Sequence, residues 1–272
     1  MNMLDRGQRY GDGFFDTMLL KEGKPVWPLA HWDRMVSAAK TLDLAWPFHG
    51  KSPDLTLTDL YNEWLQALQN NWIKADRPSM AKVRTVVWRA GNGDFTPPTE
   101  RFECHISVHP LDLKIENSFR LGPSTVVQCP PLIPWIKSLS AMPYVLAANF
   151  AKKQGWDDAL LVNTQGNFIE SSRSNLFYWV DGICYTPSLV EGCLPGIAAQ
   201  YLTKFLSKNG NVVQYAAATN QILREASAIW LTNSIRGITQ VRYWDDDALG
   251  QDPYSDLAAA ANEGIQGGSE LP

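Results

Sequence analysis

The spacing of apolar positions changes along the chain, and each change marks an element. Phe14 to Leu20 is an apolar run between Gly11-Asp12-Gly13 and Lys21-Glu22-Gly23-Lys24-Pro25, which predicts a strand entering a turn, with a short strand over Pro25 to Leu29 completing a hairpin. From Ala30 to Leu44, Trp32, Met35, Val36, Ala39 and Leu42 recur at helical spacing, and Leu60, Trp64, Leu65 and Leu68 do the same within Leu55 to Ile73. Strands are predicted at Lys82 to Arg89 and Phe102 to Val108 around a Gly/Pro-rich connection from Gly91 to Thr99. These elements close a first α+β domain.

Pro110 to Ser124 is mixed and turn-rich, and Pro130, Pro131 and Pro134 precede a helical pattern over Ser138 to Gln154, so an interdomain boundary is expected near residues 110 to 125. Short strands follow at Asp158 to Asn163, Phe168 to Glu170, Asn175 to Val180 and Gly182 to Thr186. A helix over Gly196 to Asn209 leads to a strand at Val212 to Ala217, a turn or helix at Gln221 to Ala226, strands at Ala228 to Thr232 and Thr239 to Tyr243, and a helical tail from Ala258. No internal repeat is visible.

Composition narrows the function classes. The 272 residues are 45% hydrophobic and 19% charged, enough for a large core and inconsistent with disorder. Lys+Arg 24 against Asp+Glu 28 gives a net charge of −4 without a basic block, so neither nucleic acid nor an anionic membrane is the expected partner; a small molecule is. No apolar stretch is long enough for a membrane span, the start Met1-Asn2-Met3-Leu4-Asp5 lacks a signal-peptide core, and a cytoplasmic protein is expected. Cys104, Cys129, Cys184 and Cys193 form no C-x-x-C pair and are read as reduced thiols.

Several motif fragments carry little. Ser37-Ala38-Ala39-Lys40 matches S-x-x-K inside a helix without the companion motifs, and Gly91-Asn92-Gly93 lies between strands rather than before a helix. Cys104 shares a strand with His105 and His109, but alternation places it with Phe102, Ile106 and Val108 on the buried face and both histidines opposite. Asp245-Asp246-Asp247 reads as a solvated turn, and Asp12 as a turn residue bonding its own backbone; no metal site is expected. Lys137 follows a proline-rich apolar approach, where a desolvated amine could attack a carbonyl, though on spacing alone a surface lysine is the plainer reading. Glu170 ends a strand next to Ser171-Ser172-Arg173, where a structural pair with Arg173 is the plain alternative.

Taken together, four blocks resemble the fold-type IV enzymes that use pyridoxal 5′-phosphate (PLP), the class IV aminotransferases and aminodeoxychorismate lyases. They are Asp5-Arg6-Gly7-Gln8-Arg9-Tyr10-Gly11-Asp12-Gly13-Phe14-Phe15-Asp16-Thr17, His31-Trp32-Asp33-Arg34, Lys137 with its following helix, and Asn167-Phe168-Ile169-Glu170-Ser171-Ser172-Arg173-Ser174-Asn175-Leu176-Phe177, in the family's order and across nearly the whole chain. The resemblance implies a two-domain α/β (α+β) fold with the cofactor at the domain interface: residues 1–112, a linker over 113–124, and a cofactor-binding domain over 125–272. It implies Lys137 as the cofactor-bearing lysine and general base, and Glu170 as the partner of the pyridine nitrogen. Arg34, the amides of Gly196-Ile197-Ala198, and Ser234 with its neighbour Asn233 become the phosphate site. Tyr10, Phe15, Arg84, Arg89 and Arg236 face or flank the substrate, and Thr17, Ser140 and Tyr144 are hydroxyls with no assigned role.

The late loop Leu231-Thr232-Asn233-Ser234 resembles the form found in aminodeoxychorismate lyases, which implies elimination of pyruvate to give 4-aminobenzoate; an aminotransferase acting on branched-chain or D-amino acids is the alternative. Position 198 is Ala where relatives often have Thr, and Ser140-Ala141 stands where lyases often have Asn-Arg. The Asp5-Arg6 block also opens the chain directly, where relatives usually have a preceding strand, so an open sheet edge is expected. A homodimer is implied by the same resemblance.

Overall fold

The computed structural model describes residues 5–47, 54–113, 118–128 and 136–268. The chain forms two compact units, one of Met1–Asp112 with Ile136–Ala141, the other of Leu113–Trp135 with Met142–Pro272. Cys129 and the prolines at 130, 131 and 134 lie outside the described residues.

The first unit runs through α1 (Arg6–Tyr10), β1 (Gly13–Lys21), β2 (Lys24–Pro25), α2 (Pro28–Thr41), α3 (Leu57–Lys74), β3 (Met80–Arg89) and β4 (Phe102–Pro110). Its antiparallel sheet has the order β2-β1-β3-β4. The short helix α1 was not expected, and the second hairpin strand stops at Pro25 because Pro28, fixed at a helical φ, opens α2. A capping box between Thr56 and Asp59 starts α3. Alternation along β1 puts Phe14, Met18 and Leu20 on the face that packs with Ala81, Val83 and Val87 of β3 beneath Trp32 and Met35 of α2 and Leu60 and Trp64 of α3. Trp32 is central to this core, its ring 4.9 Å from that of Trp46 and 5.6 Å from those of Tyr61 and Trp64; truncating it to Ala would cost about 3–5 kcal/mol. β4 is an edge strand, and Cys104 on it is exposed, contrary to the expected buried position, although Phe102, Ile106 and Val108 do pack on the core.

The second unit contains β5 (Arg120–Val127), α4 (Met142–Gln154), β6 (Asp158–Val162), β7 (Phe168–Ser171), β8 (Asn175–Val180), β9 (Ile183–Thr186), α5 (Ile197–Lys208), β10 (Val213–Tyr215), α6 (Asn220–Glu225), β11 (Ala228–Asn233), β12 (Gly237–Gln240), β13 (Tyr243–Trp244), β14 (Asp247–Ala248) and α7 (Ser255–Gly267). One mixed sheet runs β10-β9-β8-β7-β6-β5-β13-β14, with β11 pairing β8 and β12. The middle strands are apolar on both faces: Leu160, Phe168 and Leu176 join Trp244 and Leu223 in one cluster, while Leu161 and Ile169 pack with Ala147 of α4 in another.

Two expectations fail here. The residues from Arg120 to Ser124 were assigned to the linker but begin strand β5, which pairs in parallel with β6 and β13. Gly122 and Pro123 gave the stretch its turn-like look. The Trp156 ring occupies the space a Cβ at Gly122 would need, and the β5–β6 register breaks between Pro123 and Val127, where the missing N–H is tolerated. Helix α4 begins at Met142 rather than Ser138, with Pro143 in its first turn, because the residues before it are extended and belong to the first unit.

Candidate active site

In the first unit, the segment around Lys137 pairs with β1 through one antiparallel bridge. Phe15 N–H donates to the Lys137 carbonyl at 2.9 Å, Leu139 N–H donates to the Gly13 carbonyl at 3.0 Å, and Phe14 bridges Ser138 in antiparallel fashion. The approach explains the Gly11-Asp12-Gly13 turn. A Cβ at Gly13 would overlap the Val87 carbonyl, and Gly11 takes a left-handed φ of 66° with Ser140 directly against it. The Lys137 ammonium then lies 4.9 Å from the centre of the Phe15 ring, and the Arg84 guanidinium 4.2 Å from the same ring. Burial lowers the Arg84 pKa from its ordinary value.

Arg84 and Arg89 lie five positions apart on β3, an odd separation that sends them to opposite faces of the sheet. Arg84 shares the half-open face with Phe15, whereas Arg89 is on the core face and 4% exposed. Its guanidinium donates to Asp12 Oδ2 at 3.0 Å, to the Asp43 and Thr99 carbonyls at 3.1 and 3.0 Å, and to the Leu42 carbonyl. The expected substrate role of Arg89 therefore gives way to a structural one. Asp12 is likewise not bonded to its own turn as expected: its carboxylate accepts from Arg89 and, at 2.8 Å, from Arg6 Nε. Tyr10 faces the β3–β4 connection, its ring 5.3 Å from that of Phe95.

Arg34 is paired within the same unit. Alternation puts Asp16 on the core face of β1, where its carboxylate accepts from Arg34 at 2.7 and 2.9 Å and lies 2.5 Å from His31 Nδ1. His31 and Arg34 are one helical turn apart on α2, so both reach the same acceptor. Burial by itself would raise the Asp16 carboxyl, but the Arg34 charge and then His31 hold it well below the usual carboxylate range. His31 Nε2 is buried without a hydrogen-bond partner.

In the second unit, Glu170 is 3% exposed and sits opposite Asn175 in the β7–β8 pair. Asn175 Nδ2 and the Leu194 N–H each donate to Glu170 Oε2 at 3.1 Å, and the Tyr144 hydroxyl donates to Oε1 at 2.7 Å. Asn175 also donates to the Leu194 carbonyl at 2.8 Å, which ties the carboxylate to the approach of α5. Gly196 is the N-cap of α5 and offers no side-chain cap; a Cβ there would overlap Asn175 Oδ1. Ile197 and Ala198 form the buried first turn. Arg173, suggested as a structural partner of Glu170, instead lines a shallow polar pocket with Asp157, Asp158, Ser174, Asn233 and Arg236. Asn233 Nδ2 donates to Ser174 Oγ at 2.9 Å and its Oδ1 accepts the N–H groups of Ile235 and Arg236, which fixes the loop carrying Ser234. Asp245 and Asp247 pair with Arg224.

Among the described residues no group of three or more His, Cys, Asp or Glu is placed to hold a metal ion, and no helix is long and apolar enough to cross a membrane. Cys104, Cys184 and Cys193 are free thiols.

The chain is 25% identical over 244 residues to the aminodeoxychorismate lyase of Vibrio harveyi, covering 87% of this chain and 84% of that one. It is 24% identical over 270 residues to a bifunctional aminodeoxychorismate lyase and D-amino acid transaminase of Mycobacterium tuberculosis, covering 92% and 87%. The branched-chain aminotransferase of Thermoproteus uzoniensis superposes with a TM-score of 0.84 at 19% identity, over 98% of this chain and 89% of that one, so the fold is that of the fold-type IV enzymes. Residues 13–244 match the family profile of amino-transferase class IV, and the chain belongs to that family.

Proposed function

We propose that the protein is a PLP-dependent 4-amino-4-deoxychorismate lyase, releasing 4-aminobenzoate and pyruvate. The observation that carries the reading is the placement of the Lys137 amine and the Arg84 guanidinium around one aromatic ring, which sets a base beside a group suited to a substrate carboxylate.

The residues fit the cofactor. Glu170 is a buried, fully oriented carboxylate for a ring nitrogen, and α5 starts without a side-chain cap behind a glycine, leaving its first-turn amides for a phosphate. Arg34 adds a guanidinium already oriented by Asp16, and His31 Nε2 is an orphaned buried nitrogen in the same cluster. Bound PLP supplies an electron sink for the pair left when a proton departs from the amine-bearing carbon.

With PLP bound, Lys137 would hold it, and the same amine would be the base that takes that proton. Arg84 binds a substrate carboxylate, and Phe15 shields the lysine from water. The bond from ring carbon to the enolpyruvyl oxygen then breaks, the ring becomes aromatic, and the departing enolate takes up a proton as pyruvate, so the elimination needs no outside oxidant or reductant. The late-loop sequence Thr232-Asn233-Ser234, which resembles the lyase form, supports the lyase over the transaminase.

The test is incubation of the PLP-loaded protein with enzymatically made aminodeoxychorismate. Formation of 4-aminobenzoate and pyruvate in equal amounts, lost in Lys137→Ala, is the expected result. Turnover of D-alanine or a branched-chain amino acid with 2-oxoglutarate, and no 4-aminobenzoate, would make the protein an aminotransferase.

A further inference from the structure

We propose that Tyr144 is the positioning residue for Glu170, the donor that holds the carboxylate through Oε1 for its role toward the cofactor nitrogen; the inference rests on the cofactor reading above. The two oxygens of Glu170 are held differently. Oε2 accepts from Asn175 and from the Leu194 backbone, both part of the β8 and α5 frame. Oε1 accepts from Tyr144, whose side chain comes from α4 and packs beside Ile169 and Cys193.

The proton order in this chain is fixed by chemistry. A carboxylate only accepts, so the phenol donates to it. Burial, and then the Glu170 charge, push the Tyr144 phenol far above its ordinary value, so it keeps that proton. Gln128 Nε2 donates to the phenol oxygen at 3.2 Å and lies 3.4 Å from the Gly192 carbonyl. Both contacts use the same nitrogen, and Gln128 Oε1 is left buried without a hydrogen-bond partner. An amide, a phenol and a carboxylate thus form one directed line, and a structural tyrosine in an apolar cluster would not need it.

The consequence is electronic. Each neutral donor to the charged form of Glu170 favours that form, and Tyr144 is the donor whose loss leaves the backbone frame untouched. Tyr144→Phe keeps the ring and removes the bond; Gln128→Met keeps the bond and removes its orientation.

The experiment loads wild type and both variants with PLP and records the visible band of the lysine-bound cofactor, then kcat and KM for the active substrate. The expected result is a bound cofactor in every protein, a displaced band maximum in Tyr144→Phe, and a fall in kcat of about tenfold with KM within about twofold of wild type. Gln128→Met should move in the same direction by less. An unchanged band and kcat in Tyr144→Phe would overturn the positioning role while leaving the cofactor reading intact. Absence of any band in wild type would overturn the cofactor reading and this inference together.

Discussion

The Lys137 ammonium lies 4.9 Å from the centre of the Phe15 ring, and the same two residues share a backbone hydrogen bond. The ring that contacts the amine is thus carried by the strand that positions its backbone. Replacing Phe15 by Leu keeps the backbone pairing and removes the aromatic face. We expect PLP still to bind Lys137, with kcat lowered about tenfold, read by absorbance and steady-state kinetics.

The opposite faces of β3 give two arginines different surroundings. Arg89→Leu would remove one of the two arginine partners of Asp12 and leave the Leu42, Asp43 and Thr99 carbonyls without that donor, and should cost about 3–5 kcal/mol in urea unfolding. Arg84→Ala should leave the unfolding midpoint nearly unchanged and raise KM for a carboxylate substrate about tenfold. Equal destabilisation by the two substitutions would refute the division.

Asp16 gives the first unit an acid-sensitive anchor. Its carboxyl is held below the usual range in the folded protein, so its contribution to stability is present above the ordinary carboxylate pKa and is lost as pH falls toward the depressed folded value. Unfolding free energy measured from pH 6 down to about pH 2 should fall more steeply in wild type than in Asp16→Asn. The variant should also be less stable at neutral pH by about 3–5 kcal/mol, since Arg34 and His31 lose their shared acceptor.

Gly196 is required by space rather than by backbone conformation, since its φ of −66° is open to any residue. In Gly196→Ala the new methyl would push Asn175 away from Glu170 Oε2. We expect a loss of about 1–3 kcal/mol of stability and weaker PLP binding, measured by titrating the visible band. Retention of wild-type affinity would mean that the Asn175 contact is dispensable.

What the sequence showed followed the range of its signals. The β1 hairpin, α2, α3 and the strands β7 and β8 were legible because their period or turn chemistry is local. The separation of Arg84 from Arg89 was also written in the sequence, in the odd spacing along a predicted strand, and was passed over when both were assigned to the substrate. Strand β5 was hidden by Gly122 and Pro123, whose places depend on Trp156 and on a register break. The partners of Asp16 and Glu170 come from other elements, so the pairing of Asp16 with Arg34 and His31 was not legible and Tyr144 was known only as a hydroxyl without a role.

The short reach of β2 has a consequence for how the protein is made. β2 pairs only with Leu20 and Lys21, and the other end of β1 is covered by the Lys137 segment. Until the ribosome has delivered that segment, the nascent first sheet presents bare amides and carbonyls along Gly13 to Phe15, an invitation to pair with another chain. The Lys137 stretch therefore acts as a guard against misassembly, and a fragment ending at residue 112 should aggregate more readily than the whole chain.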